Sequence, residues 1–123
     1  METKSITLTY AVSADKTAEK MGSGDMPVLA TPAMVAMMEN AAMNLAKRLC
    51  AEGDTTVGSM INTSHLRPSA IGATISVCAT LTAQEGRKLT FEIEAKDGET
   101  VIGKAMHERF IVTRDRFLAK IGK

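Results

Sequence analysis

The stretch Thr31-Pro-Ala-Met-Val-Ala-Met-Met-Glu-Asn-Ala-Ala-Met-Asn-Leu-Ala-Lys-Arg-Leu49 decides the fold. Thr can cap free N–H groups, and Pro tolerates the first helical position because its missing N–H has no intrahelical partner there. Met34, Met38, Ala41, Leu45 and Leu49 then recur at helical spacing, and Val35, Ala42, Met43 and Ala46 widen the stripe. The pattern predicts one long, largely buried helix running from Thr31 to about Ala51, with Gly53 as terminator.

On both sides of this helix the period changes to two. Ile6, Leu8, Tyr10 and Val12 alternate with polar residues before it. The polar stretch between, Ser13 to Asp25, contains Gly22-Ser23-Gly24 and reads as a flexible loop or short turn. After the helix come strand patterns at Thr55 to Leu66, Thr74 to Thr82, Leu89 to Ala95 and Val101 to Val112. Gln84-Glu85-Gly86-Arg87 and Asp97-Gly98 supply the reversals between the last three. One strand, one long helix and four strands linked largely by short turns make an α+β domain, an antiparallel sheet with the helix lying against it.

Composition narrows the possible functions. The 123 residues suit a single domain, 1–123, and 45% of them are hydrophobic. With no Trp, one Tyr and three Phe, the core is aliphatic, and nine Met fill its irregular gaps. So small a core gains from burial against a second subunit, which predicts an oligomer. Fifteen basic residues against fourteen acidic ones leave a net charge of +1, too little field for a nucleic-acid backbone. Glu39, Asn40, Asn44, Lys47 and Arg48 interrupt the longest apolar-rich segment, so no membrane span is expected. The start of the chain lacks the continuous apolar stretch of a signal peptide, and Cys50 and Cys78 stand apart, which together point to the cytoplasm.

Three residues attract attention as chemistry. Glu39 has Val35, Ala42, Met43 and Ala46 as helical neighbours, so its carboxylate lies beside an apolar face. That placement suits either a helix-edge acid that reaches water or a general base. His65 lies near the end of its strand, in phase with Val57, Ser59, Ile61 and Thr63, and is either an ordinary strand-end imidazole or a proton carrier. Thr31 is accounted for as a cap, yet the start of a buried helix also offers N–H groups and a positive dipole end to a developing oxyanion. His65, His107 and the two cysteines have no metal-ligand spacing, so no metal is expected. Neither cysteine has an adjacent base, and no GxSxG elbow occurs.

Several separated segments, taken in order, connect these residues. They are Met26-Pro-Val-Leu-Ala-Thr-Pro-Ala-Met-Val-Ala-Met-Met-Glu-Asn-Ala-Ala42, Thr56-Val-Gly-Ser59, Thr63-Ser-His-Leu-Arg-Pro68 and Gly103-Lys-Ala-Met-His-Glu-Arg-Phe110. Together they resemble the fluoroacetyl-CoA-thioesterase-like branch of the hotdog superfamily over nearly the whole chain. The resemblance implies about five antiparallel strands wrapped around the long helix, and a homodimer or larger homo-oligomer with active sites at the subunit interface. It implies catalytic roles for Thr31, Glu39 and His65, and substrate-side roles for Gly58 and Arg109. It implies acyl-CoA thioester hydrolysis with no cofactor beyond the coenzyme A of the substrate. Non-catalytic acyl-CoA binding and acyl-thioester dehydration are the alternatives, since the fold hosts several chemistries. Branch members specialised for fluoroacetyl-CoA carry aromatic residues ahead of the Thr. Here that stretch is Gly22-Ser23-Gly24-Asp25 and Phe occurs only at 91, 110 and 117, which implies a general short-to-medium acyl group.

Overall fold

The protein is described by a computed structural model, which covers residues 4–122. The elements are β1 (Ser5–Ala11), α1 (Ala18–Met21), α2 (Thr31–Ala46), β2 (Asp54–His65), β3 (Thr74–Glu85), β4 (Lys88–Asp97), β5 (Thr100–Thr113) and α3 (Arg114–Lys120). The strands form one antiparallel sheet in the order β1-β3-β4-β5-β2, and α2 lies across one of its faces. The architecture is the α+β arrangement that the sequence predicts.

Helix α2 packs because its apolar stripe meets the inward phase of the strands. Met34, Met38, Ala41, Ala42 and Leu45 are buried against a cluster that includes Ile75, Val77, Ala79, Leu89, Phe91 and Ile93. Burying each of the larger side chains contributes about 1.5–3 kcal/mol. At Gly103 the helix and sheet approach so closely that an added Cβ would sit 2.6 Å from Met34 Sδ and 3.1 Å from the Ser64 carbonyl oxygen. Only hydrogen fits there.

The helix differs from expectation at both ends. Its cap is Ala30, not Thr31. No side chain caps the first turn, Thr31 is already helical, and Pro32 follows within that turn. At the other end α2 stops at Ala46 and tightens into a 3₁₀ turn over Lys47–Leu49, so it does not reach Ala51. Gly53, at φ 86°, serves the turn into β2 instead.

The stretch Ser13 to Asp25 is also more ordered than a loop. It holds a 3₁₀ turn, Ala14–Lys16, and α1, and Gly22 ends α1 at φ 76°. Isolated bridges Thr17↔Leu29 and Val28↔Ala70 tie the segment to the body of the protein.

A β-bulge between Gly58 and Met60 corrects the phase expected for β2. Thr56 is buried and Gly58 faces α2. Beyond the bulge Ile61, Thr63 and His65 turn to that same face, where Ile61 packs on the core and Thr63 Oγ1 lies 3.6 Å from Met38 Sδ. The extra residue, Ser59, donates to the Glu108 carbonyl at 3.2 Å. Val57 and Ser59 therefore do not share the phase of His65. The sheet's other face carries a shallow hollow of about 550 Å³ lined by residues such as Asn62, Thr80, Glu92 and Lys104.

Candidate active site

The first turn of α2 and the last residue of β2 meet directly: Thr31 Oγ1 lies 2.8 Å from His65 Nδ1. A helix start whose N–H groups have no side-chain cap thus sits beside a hydroxyl–imidazole pair. Burial pushes the His65 imidazole below its ordinary 6.5, and the nearby Arg67 backbone opposes that shift. The ring is therefore neutral near pH 7. Its Nε2 is buried without a hydrogen-bond partner, an arrangement that calls for an explanation in a native structure. Beside the pair lies a cavity of about 240 Å³, lined among others by Ser23, Val28, Leu29, Arg67 and Pro68.

Glu39 occupies a second cluster. A Cβ added to Gly58 would lie 3.1 Å from Glu39 Oε2, 3.4 Å from Arg109 Nη1 and 3.4 Å from His107 Cε1. The missing side chain leaves an open point bounded by a carboxylate, a guanidinium and an imidazole. Arg109 is 7% exposed. Its Nε donates to Thr56 Oγ1 at 2.9 Å, Nη2 to the Thr56 carbonyl at 3.1 Å and Nη1 to His107 Nε2 at 3.2 Å. Burial lowers the Arg109 pKa from its usual value and the charge of Glu39 opposes that, so the carboxylate partly compensates the buried cation.

The five residues singled out from sequence thus fall into two groups. Thr31 joins His65, and Glu39 joins Gly58 and Arg109. The two groups do not meet within one chain, because Glu39 stands eight residues from Thr31 along α2, about 12 Å of helix rise. Thr56 and His107 complete the second group and carry no sequence-based role. A signal for His107 exists in β5, where Ala105, His107, Arg109 and Ile111 are all buried, so two polar residues fall between apolar ones on the core face. Among the described residues no three His, Cys, Asp or Glu side chains gather as metal ligands, and no helix is long and apolar enough to cross a membrane.

Residues 12–115 match the family model for the fluoroacetyl-CoA-specific thioesterase, FlK. The chain belongs to this family. It is 34% identical over 94 residues to the fluoroacetyl-CoA thioesterase of Streptantibioticus cattleyicolor, covering 76% of this chain and 68% of that protein. A solved structure of the fluoroacetyl-CoA thioesterase FlK superposes with a TM-score of 0.90 at 30% identity, over 97% of this chain and 93% of the other. A Thermus thermophilus hypothetical protein of the thioesterase superfamily also superposes at 0.90, with 25% identity over 98% and 90% of the two chains. The fold of this family member is accordingly the hotdog fold, a long helix held in an antiparallel sheet.

Proposed function

We propose that the chain hydrolyses the thioester of a short-to-medium acyl-CoA. In this reading it works as a homodimer whose active sites each combine Thr31 and His65 of one subunit with Glu39, Gly58 and Arg109 of the other. The observation that carries the proposal is the Thr31–His65 hydrogen bond at an uncapped helix start, beside a cavity. Membership of a thioesterase family supports it.

In this reaction the thioester carbonyl sits against the α2 N-terminus, where backbone N–H groups and the dipole favour the developing oxyanion. One such donor is worth about 10²–10³ in rate. Glu39 activates water or attacks the carbonyl itself, and general-base help of this kind contributes about 10²–10⁴. The C–S bond breaks, water supplies the second oxygen of the free acid, and the proton released by that water is relayed through neutral His65 to the departing thiolate. Coenzyme A enters and leaves as part of the substrate and product. Arg67, on the cavity wall, is suited to its phosphates.

Support for the dimer comes from β2. It is a twelve-residue edge strand, and open edges invite pairing with another copy. A two-fold axis passing between Ile61 and Asn62 of β2 would set Gly58 of one strand opposite His65 of the next. A general acyl group is favoured because the cavity wall holds no Phe: Phe91 is in the core and Phe117 lines a different hollow, with Arg87.

Thiol release from straight-chain acyl-CoAs, acetyl to octanoyl, tests the reading. The wild type is expected to release thiol, and Glu39→Gln to lose about 10²–10⁴ of that rate. Unchanged hydrolysis in Glu39→Gln would remove the role given to Glu39. No release across the series would favour acyl-CoA binding without hydrolysis.

A further inference from the structure

His107 is 1% exposed in the middle of β5, opposite Ile61 of β2 and Phe91 of β4. Its ring lies 6.2 Å from that of Phe91, tilted by 32°. Both ring nitrogens are committed. Nδ1 is 2.8 Å from the Met60 carbonyl, at the residue where β2 resumes its register after the bulge. Nε2 is 3.2 Å from Arg109 Nη1. A carbonyl oxygen only accepts and a guanidinium N–H only donates. The partners therefore fix the tautomer: the proton is on Nδ1, and Nε2 offers its lone pair to Arg109.

A buried histidine kept for volume alone would not need two directed polar partners, each of which had to be desolvated. His107 also reaches the open point over Gly58, which its Cε1 borders together with Arg109 Nη1 and Glu39 Oε2. Thr56 holds the Nε and Nη2 side of the guanidinium, and His107 holds the Nη1 side. Without His107 the Nη1 edge, which borders the same point over Gly58 as Glu39 Oε2, loses its anchor.

We propose that His107 is a positioning residue for the hydrolysis: as a neutral imidazole it ties Arg109 Nη1 to the β2 bulge and so holds the guanidinium beside the Glu39 carboxylate. The proposal rests on the hydrolase reading given above. The neutral form is also favoured by burial, which pushes the imidazole below its ordinary value; Arg109 adds to that shift, while the Met60 bond and the Glu39 charge oppose it.

Two variants separate the two nitrogens. His107→Asn places an amide near Nδ1, keeping the Met60 bond and leaving Arg109 Nη1 without an acceptor. His107→Gln carries an amide oxygen toward the Nε2 position, where it can accept from Arg109. We expect His107→Asn to lower kcat for acetyl-CoA or butyryl-CoA about 10²-fold with little change in KM, the scale for a misplaced group. His107→Gln is expected to recover at least tenfold of that loss, with the two variants melting alike. Equal kcat losses in both variants would overturn the proposal. Ring ¹⁵N shifts of the folded wild type give an independent reading that needs no variant to fold. A neutral Nδ1–H tautomer is expected at pH 7, and an Nε2–H tautomer or an imidazolium would overturn the anchor. Absence of thiol release from the wild type would remove the hydrolase reading and the catalytic consequence with it, while the tautomer would still decide whether His107 anchors Arg109.

Discussion

The Thr31 hydroxyl is spent on His65 Nδ1, 34 residues away and 2.8 Å distant, and not on the helix that Thr31 begins. This allocation separates two roles that a threonine at a helix start normally merges. Removal of a capping Thr costs about 0.5–2 kcal/mol of stability. Since Thr31 makes no cap bond, Thr31→Ala is expected to melt close to the wild type. Hydrolysis, by contrast, is expected to fall by about 10²-fold or more, as for loss of a positioned acid–base partner. Thr31→Ser keeps the hydroxyl and is expected to retain most of the activity. Thermal melts alongside thiol-release rates check all three, and a large melting loss without an activity loss would return Thr31 to a structural role.

Gly58 controls the second cluster through an empty volume. A methyl group there would come within 3.1 Å of Glu39 Oε2 and 3.4 Å of Arg109 Nη1, both at the ends of flexible side chains. The neighbours can yield by a few tenths of an ångström, so Gly58→Ala is expected to fold normally. The displacement falls on the carboxylate, and a loss of roughly tenfold in kcat is expected, given that an ångström of misplacement can cost 10²-fold. Steady-state kinetics beside a melting curve distinguish the two effects.

Gly103 gives the opposite result under the same substitution. There the added methyl would meet Met34 at 2.6 Å and a backbone carbonyl at 3.1 Å, and backbone does not yield cheaply. Gly103→Ala is expected to cost about 1–3 kcal/mol, the usual penalty for overpacking. Chemical denaturation measures it. A change below about 0.5 kcal/mol, the range of ordinary surface substitutions, would contradict the close helix–sheet approach at this point.

His65 and His107 both have imidazoles held below their ordinary 6.5. Above that value folded and unfolded chains are both neutral at these sites, and the full stability is present. As pH falls through 6.5 the unfolded chain binds protons that the folded chain refuses, so stability declines until the folded values are passed. Most carboxylates are still ionised down to about pH 5. Melting temperature is therefore expected to drop between pH 7.5 and 5.5, with a shallower slope in His107→Gln. Activity is expected to fall at lower pH than stability begins to, because the folded protein charges His65 only below the ordinary imidazole value. A melting temperature that rises on acidification would contradict the burial of both rings.

Much of this architecture is legible in single stretches of sequence. The stripe from Met34 to Leu45, the alternation from Ile75 to Leu81 and the Asp97-Gly98 turn each depend on neighbours a few residues away. Features set by distant partners are not legible in this way. The bulge after Gly58 is defined against β5, and counting every second residue from Val57 to His65 passes over it. The cap reading of Thr31 was locally sound, but His65 competes for the hydroxyl from the far end of another strand. The apolar helical neighbours of Glu39 single it out, yet the eight residues to Thr31 imply about 12 Å of separation along a helix. His107 has no metal-ligand spacing in the sequence, although its place between Ala105 and Arg109 on the inward phase of β5 puts two polar groups where apolar ones belong.

That separation along α2 leads to a quantitative expectation for mixed subunits. If each site takes Thr31 and His65 from one subunit and Glu39 from the other, Thr31→Ala and Glu39→Gln are each inactive alone but complementary together. In a heterodimer one site carries both substitutions and the other carries neither. Random reassortment of equal amounts makes half of the dimers mixed, each with one intact site, so about a quarter of wild-type activity is expected for a two-fold dimer. The subunits are mixed under conditions that dissociate the dimer and then allowed to reassociate, and sizing chromatography confirms the assembly before assay. A site built within one chain restores nothing in the same mixture, because every subunit then carries its own defect. Recovery that rises and falls with the mixing ratio, peaking at equal amounts, identifies the shared site.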